Sequence, residues 1–377
     1  MNLYLSTWSG KRVKGDNMYE TISKEKFDYL VKNYKNKDIL ILGIESSCDE
    51  TSIAVVKNGR EVLSNVIATQ IEIHKRFGGV VPEVASRNHI MAIDNVLTEA
   101  LEKANVTLDD IDAIAVTYGA GLMGALMVGV TYAKSLAFAL NKPLIKVNHI
   151  KGHISANYIA TPDLVPPYMA LIVSGGHTAI VKVANYTNNI LIGSTVDDAI
   201  GEAYDKVSKV LGLGYPGGPI VDKTAKEGQP TLQFVKSDAL KNSFNFSYSG
   251  LKTAVINYLH NLQQHNIQPN IPDVCASFQK EAVGALVEKS IRACKKYKFT
   301  TLAVAGGVAA NSYLRQQLTE EGKRNGIRVL FPPMVLCTDN AAMIASEGYF
   351  NLISNSGFAT TELTATPNLN LKYVVKR

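Results

Sequence analysis

Residues 38–59, DILILGIESSCDETSIAVVKNG, and residues 167–185, PYMALIVSGGHTAIVKVAN, are written in the same grammar. Each is an apolar run suited to a buried strand, then a small polar turn, then a second apolar run. The two lie about 130 residues apart, and the segments downstream of them repeat as well. After the first comes IDAIAVTYGAGLMGALMVGVTYAKSLAFAL (111–140), a strand entering a glycine turn and then a helix. After the second comes FTTLAVAGGVAANSYLRQQL (299–318), with the same order. Both units close on a short strand, PLIKVN (143–148) and IRVLFPP (327–333). A duplicated α/β fold is expected, with two similar lobes facing one cleft. The strand ends and glycine turns should open into that cleft, where backbone amides and helix N-termini meet ligands.

Between the repeats lie amphipathic helices. One starts at Pro82 with Val84, His89, Ile93 and Val96 on one side; another spans about 272–296, where Val274, Phe278, Ala282 and Leu286 recur every fourth residue. A last helix is expected in CTDNAAMIASEGYF (337–350), with Thr338 as its N-cap and Asp339 in its first turn. Residues 1–38 read as a polar extension in which EKFDYLVKNY (25–34) forms a peripheral helix. The expected division is residues 39–165 for one lobe, completed by 339–377, and 166–338 for the other.

Composition sets bounds. A chain of 377 residues exceeds what one hydrophobic core serves, which agrees with two lobes. With 46% hydrophobic and 19% charged residues it is an ordinary globular protein. No uninterrupted apolar run of membrane-spanning length occurs, and the N-terminus lacks a secretory core, so no membrane association and a cytoplasmic location are expected. Cys48, Cys275, Cys294 and Cys337 are scattered without CxxC pairing, which points to reduced thiols and excludes a zinc ribbon or disulfide scaffold. The net charge of +6 permits a polyanionic partner without requiring one.

The glycine turns offer bare backbone to an anion: Ser174–Gly176, the loop at Gly119, Gly121 and Gly124, the run Ala305–Asn311, and GYPGGPIVD (214–222), where Asp222 can accept from hydroxyls. None matches a P-loop. Glu45, Asp49 and Glu50 sit in or beside the first hairpin turn, and Asp205 occurs in DDAIGEAYDK (197–206); in a cleft such carboxylates hold a metal or move a proton. His149 and His153 are four apart in KVNHIKGHISANY (146–158). On a helix that spacing presents both rings to one ion, with Asp339 the best third ligand. The same spacing also suits a satisfied pair on a loop, a reading that Gly152 favours.

Several segments taken together are more specific. LGIESSCDETSIAVV (42–56), HKRFGGVVPEVASRNH (74–89), VNHIKGHISAN (147–157), LIVSGGHT (171–178), GEAYDKVSKVLGLGYPGGP (201–219), FSYSGLKTAV (246–255), AGGVAAN (305–311) and CTDNAAMIA (337–345) resemble, in order, the bacterial catalytic subunits of tRNA N(6)-threonylcarbamoyladenosine synthesis, once described as O-sialoglycoprotein endopeptidases. The resemblance implies the actin-like, sugar-kinase-type (ribonuclease H-like) duplicated fold around a nucleotide cleft. It implies transfer of a threonylcarbamoyl group from threonylcarbamoyl-adenylate to the exocyclic amine of the adenosine next to the anticodon, position 37, in tRNAs reading codons that begin with A. Carried over by position, it makes His149, His153 and Asp339 metal ligands for one divalent ion, iron(II) or alternatively zinc. Ile172, Val173, Ser174, Gly175, Gly176, Asp205, Gly218, Asp222 and Asn311 become adenylate-contacting positions, and Asp49 and Glu50 catalytic candidates. The partners it implies are tRNA, a smaller paralogous subunit of the same fold and a P-loop ATPase. Ala120 stands where the family usually has proline, and Ile200 and Tyr204 are bulkier than usual. The rival readings are a metal-dependent glycoprotein endopeptidase, which Ile150 in place of the HExxH glutamate disfavours, and a nucleotide-binding regulatory subunit or small-molecule kinase of the same fold.

Overall fold

The computed structural model describes residues 14–234, 240–369 and 371; the first third of the N-terminal extension (1–13) and the end of the C-terminal segment (370, 372–377) lie outside the described residues. The chain runs α1 (Lys14–Asn33), β1 (Leu40–Glu45), β2 (Glu50–Lys57), β3 (Glu61–Thr69), α2 (Ile71–Lys75), α3 (Pro82–Ala104), β4 (Ala113–Gly119), α4 (Met123–Leu140), β5 (Leu144–Asn148) and α5 (His149–Ala160). It continues through β6 (Tyr168–Val173), β7 (Thr178–Val183), β8 (Asn189–Ser194), α6 (Ile200–Val210), α7 (Gly217–Ala225), α8 (Ser249–Gln264), α9 (Ile271–Tyr297), β9 (Thr301–Ala305) and α10 (Ser312–Arg324). It ends with β10 (Arg328–Leu330), α11 (Met334–Cys337), α12 (Ala341–Ile353) and β11 (Phe358–Ala359).

The duplication is visible in the strand orders. One sheet reads β11-β5-β4-β1-β2-β3 and the other β10-β9-β6-β7-β8, so each strand of the second matches one of the first, and β11 is an added edge. In both, three consecutive strands form an antiparallel meander, and two later strands join parallel to its first member. The central strands are covered on both faces. This is why β1 and β6 read as continuous apolar runs rather than alternating ones.

Three cores result. One packs α3 and α4 on the outer face of the first sheet, a second packs α6 to α10 on the outer face of the second, and a third lies between the sheets around α5 and α12. α12 comes from the far end of the chain and presses on β1 so closely that a Cβ on Gly43 would lie 2.3 Å from the Ala341 carbonyl oxygen. Only glycine fits there.

The N-terminal helix is not peripheral. α1 buries Tyr19, Phe27 and Leu30, Tyr19 Oη donates to the Lys142 carbonyl at 3.1 Å, and the Phe27 ring lies 5.3 Å from that of Phe358. Burying Phe27 alone contributes roughly 1.5–3 kcal/mol. The last helix also differs from expectation. Asn340, not Thr338, is the N-cap of α12, its side chain accepting from the Met343 amide at 3.0 Å, and Asp339 precedes the cap instead of lying in the first turn. Among the described residues, α4 is the one helix long and apolar enough to cross a membrane; Ala125, Leu126, Gly129, Val130, Ala133 and Ala137 on it are buried in the lobe.

Candidate metal centre and nucleotide cleft

α5 begins where β5 ends. Asn148 caps it, its side chain accepting from the amides of Ile150 at 2.9 Å and Lys151 at 3.3 Å. That cap stabilises the first turn and helps fix where His149 points. Helical periodicity then stacks His153 one turn above, with ring centroids 4.7 Å apart. Gly152 does not break the helix: a Cβ there would lie 2.7 Å from Ile344 Cδ1, so its bareness lets α12 pack against α5.

Asp339 enters from the link between α11 and α12. Its Oδ1 lies 3.5 Å from His149 Nε2 and 3.2 Å from His153 Nε2, and the three ligand atoms fall within 4.8 Å of one another. Both ring nitrogens of His153 are buried and make no hydrogen bond, a costly state unless a further group fills the site. Two imidazoles and a carboxylate around such a point suit a divalent transition metal. The residues fit the implied ion.

Behind His149 stands Glu45, fully buried at the end of β1. Its Oε2 lies 3.0 Å from His149 Nδ1 and accepts from Thr117 Oγ1 at 2.7 Å; its Oε1 accepts from the Ser47 amide at 2.5 Å. The carboxylate holds the proton on Nδ1, which leaves Nε2 as the atom that would turn to a bound ion. Burial opposes a charged His149 ring, but Asp339 and Glu45 outweigh it and hold its pKa well above the ordinary value. Burial likewise opposes the Asp339 carboxylate, yet His149 and His153 keep it well below the usual range. His177 faces the same cluster; burial, then the two neighbouring histidines, lower its pKa to about 4, so the ring is neutral.

The turn that carries Asp49 and Glu50 is pinned from α3. The buried His89 approaches the Cys48 carbonyl with Nε2 at 2.9 Å and Thr51 Oγ1 with Nδ1 at 2.7 Å. Since a carbonyl only accepts, Nε2 donates and Nδ1 takes the Thr51 proton. The Asp49 carbonyl accepts from the Gln70 amide at 3.1 Å. Asp49 and Glu50 both line the cleft. Burial, together with Asp49 and Asp339, pushes the Glu50 carboxyl up to about 10.

These elements open into one cleft of about 660 Å³, lined by residues from both lobes. Of the nine adenylate positions, Ser174, Gly175, Gly176 and Asp205 line it; Ile172, Val173, Gly218, Asp222 and Asn311 do not. Ile172 and Val173 are the last residues of β6, wholly buried, and carry the Ser174–Gly176 turn. That turn closes on itself, the Ser174 amide donating to the His177 carbonyl at 2.8 Å and the His177 amide to Ser174 Oγ at 3.1 Å. A Cβ on Gly175 or Gly176 would meet nothing within 4 Å, so their backbone faces open space. Asp205, its pKa raised by burial, accepts from the Gly217 amide at 2.7 Å and ties α6 to the start of α7, where Gly218 lies. Asp222 accepts from the Ser312 amide and hydroxyl at 3.1 and 3.0 Å, while Asn311 caps α10 and donates to Gln279 Oε1 at 2.9 Å. The last two therefore brace the wall of the cleft. Tyr204, one of the bulkier substitutions, is buried with its Oη 3.1 Å from Gln279 Oε1, and Ile200 is buried beside it.

Sequence reasoning singled out neither Ser47 nor His177, and gave His89 and Glu45 no partner. The usable signal was positional: Glu45, Thr117 and His149 stand at the carboxyl ends of β1, β4 and β5, adjacent parallel strands whose ends meet in any such sheet.

A family model described as tRNA N6-adenosine threonylcarbamoyltransferase matches residues 61–346. The chain belongs to that family. Relatives bearing the same name include one from Clostridium perfringens (strain SM101 / Type A), 58% identical over 337 residues, covering 89% of this chain and 99% of the relative. Another, from Clostridium novyi (strain NT), is 58% identical over 338 residues with the same shares. Among solved structures, the threonylcarbamoyltransferase-family chain is similar to T. kodakarensis HypF, with a TM-score of 0.58 at 13% identity, covering 87% of this chain and 49% of that one. It is also similar to full-length HypF in its phosphate- and nucleotide-bound form, with a TM-score of 0.53 at 15% identity, covering 84% and 46%. At those identities the likeness concerns the fold alone, and it agrees with the duplicated, actin-like α/β architecture.

Proposed function

We propose that this chain moves a threonylcarbamoyl group from threonylcarbamoyl-adenylate to the exocyclic amine of adenosine 37 in tRNAs that read codons beginning with A. The observation that carries the reading is that the His149, His153 and Asp339 cluster reaches, through His149 and Asp339, the same cleft as the bare Ser174–Gly176 backbone, in a chain of this family.

The donor is a mixed carbamic–phosphoric anhydride. The glycine turn and Asp205 hold its adenylate half, which fixes the carbamoyl carbon where the acceptor amine can reach it; such placement replaces a large entropic barrier. The amine lone pair attacks that carbon, the carbon–oxygen bond to phosphate breaks, and AMP departs with the electron pair. A divalent ion held by His149, His153 and Asp339, iron(II) or alternatively zinc, would supply Lewis acidity to the carbonyl. The amine proton goes to the Asp49–Glu50 pair, which lines the cleft at the first hairpin turn. The target base stands in an anticodon loop and needs no duplex melted to reach the cleft.

The peptidase alternative is not favoured: Ile150 is the residue after His149, and Glu45, the carboxylate on the far side of that ring, is committed to its Nδ1. By resemblance, the working assembly includes a smaller paralogue of the same fold and a P-loop ATPase, in the cytoplasm. The test is reconstitution of the chain with those partners, threonylcarbamoyl-adenylate and unmodified tRNA, with product nucleosides measured by mass spectrometry. Threonylcarbamoyladenosine that disappears in the His153→Ala variant is the expected result. Modification undiminished in that variant removes the metal role, and none with the wild type removes the reading.

A further inference from the structure

We propose that the turn Lys75–Gly79 is an RNA-docking lip on the cleft, where Phe77 stacks on a base neighbouring the target adenosine while Arg76 and Lys209 hold flanking phosphates. This rests on the acceptor being tRNA.

The turn is built to present something. The wholly buried His74 anchors it: its carbonyl accepts from the Phe77 amide at 3.0 Å and the Gly79 amide at 3.3 Å, and its Nδ1 accepts from the Val81 amide at 3.3 Å. Gly78, at φ +67°, completes the reversal. On this closed turn Phe77 is 56% exposed. A ring held in water on a closed turn offers a preset face on which a base can stack. The next residues, Gly78, Gly79 and Val80, line the cleft, so Phe77 stands at its mouth.

Charge indicates which class of partner fits. Beside the glycine turn that takes the adenylate, the cleft is lined by Asp49, Glu202, Asp205 and Asp339, a field that favours a neutral base over further phosphates, while Lys206 and Lys209 stand on the α6 side. The phosphates of the RNA backbone are then best met by cations at the rim. Lys206 is engaged with Asp198 and Glu202, and Lys75 with Glu72. Arg76 and Lys209 are exposed and, among the described residues, have no ion-pair partner. Lys209 belongs to α6 on the opposite lobe, and its Nζ reaches to 4.0 Å from where a Gly78 Cβ would stand. An exposed ring flanked by free cations of both lobes, above an acidic slot, is the arrangement single-stranded RNA uses: stacking on a side chain with phosphates tracked by cations.

The experiment compares Phe77→Ala, Phe77→Leu, Phe77→Trp, Arg76→Ala and Lys209→Ala in the reconstituted complex, with full-length unmodified tRNA. Phe77→Ala and Phe77→Leu should raise KM for tRNA on the order of tenfold, as expected for one base stack, and lower kcat by less than twofold. Phe77→Trp, which keeps a stacking face, should restore KM. Arg76→Ala and Lys209→Ala should each reduce the slope of log affinity against log salt concentration by about 0.7–0.9. An unchanged KM in Phe77→Ala overturns the proposal, as does a loss that sedimentation traces to weakened association with a partner subunit. A wild-type complex that fails to modify tRNA overturns the parent reading instead; modification that persists while these variants behave as wild type overturns only this one.

Discussion

Oε2 of Glu45 lies 3.0 Å from Nδ1 of His149, although the strands that deliver them, β1 and β5, are separated in the sheet by β4. Thr117 on β4 fills the gap and donates to the same oxygen. Glu45 is thus a support behind the ion site rather than a ligand in it. Glu45→Gln should weaken divalent-ion affinity by roughly 10–100-fold while His149, His153 and Asp339 stay in place. Competition against a fluorescent chelator measures this; an affinity equal to wild type would show that the carboxylate does not set the ring.

His89 makes a second support. Truncation to alanine leaves the Cys48 carbonyl and the Thr51 hydroxyl without their partner inside the protein, at roughly 1–3 kcal/mol for each unsatisfied buried group. His89→Ala should therefore lower the denaturation midpoint and reduce turnover, because the turn holding Asp49 and Glu50 loosens. His89→Gln, which keeps a donor and an acceptor, should recover part of both. Denaturant titration and turnover at saturating substrates decide it; a normal turnover in His89→Ala dissociates the helix from the turn.

The back of the nucleotide turn has no slack. A Cβ on Gly201 would lie 2.7 Å from both Gly175 Cα and the Ser174 carbonyl oxygen, so Gly201→Ala must push that backbone toward the cleft. Affinity for AMP, read by calorimetry, should fall by about tenfold or more, since displacements of an ångström at a positioned site carry such effects. Retained affinity would mean the turn does not contact the nucleotide.

Glu347 titrates in the interior. It is 1% exposed on α12, its Oε2 accepts from Ser155 Oγ at 2.6 Å, its Oε1 has no partner, and burial pushes its pKa up to about 7. Because the folded value exceeds the unfolded one of 4.5, the native state binds the extra proton between those limits. Stability is then greatest below about 4.5, falls as pH rises to about 7, and is level above it, a span of about 3 kcal/mol for this group. Glu347→Gln should remove that slope, so its advantage over wild type grows between pH 5 and pH 8 in urea titrations. A difference independent of pH would refute the assignment.

The duplication was legible because β1, β2, β6 and β7 are buried on both faces and so leave long apolar runs, and because the glycine turns recur after matching strands. The docking of α1 was not: its contacts, the Lys142 carbonyl and Phe358, are more than a hundred residues away, and nothing local to Phe27 announces them. At the site, the i, i+4 spacing of His149 and His153 raised the metal question and the place of CTDN before the last helix made Asp339 the best third ligand, a set that the resemblance then implied as well. The supporting contacts of Glu45, His89 and His177 lay beyond reach because each is a through-space pairing between elements, and side-chain identity alone does not tell a supporting group from a satisfied core residue.

α12 and β11, drawn from residues 341–359, complete the sheet that begins at residue 40. During synthesis the first sheet must therefore wait, with one side of its strands still wet, until residues 341–359 have been made. Vectorial, domain-by-domain maturation is closed to this molecule. The stretch around residue 339 also brings Asp339 to the histidines, so the candidate ion site is complete only once residues far apart in the chain have met.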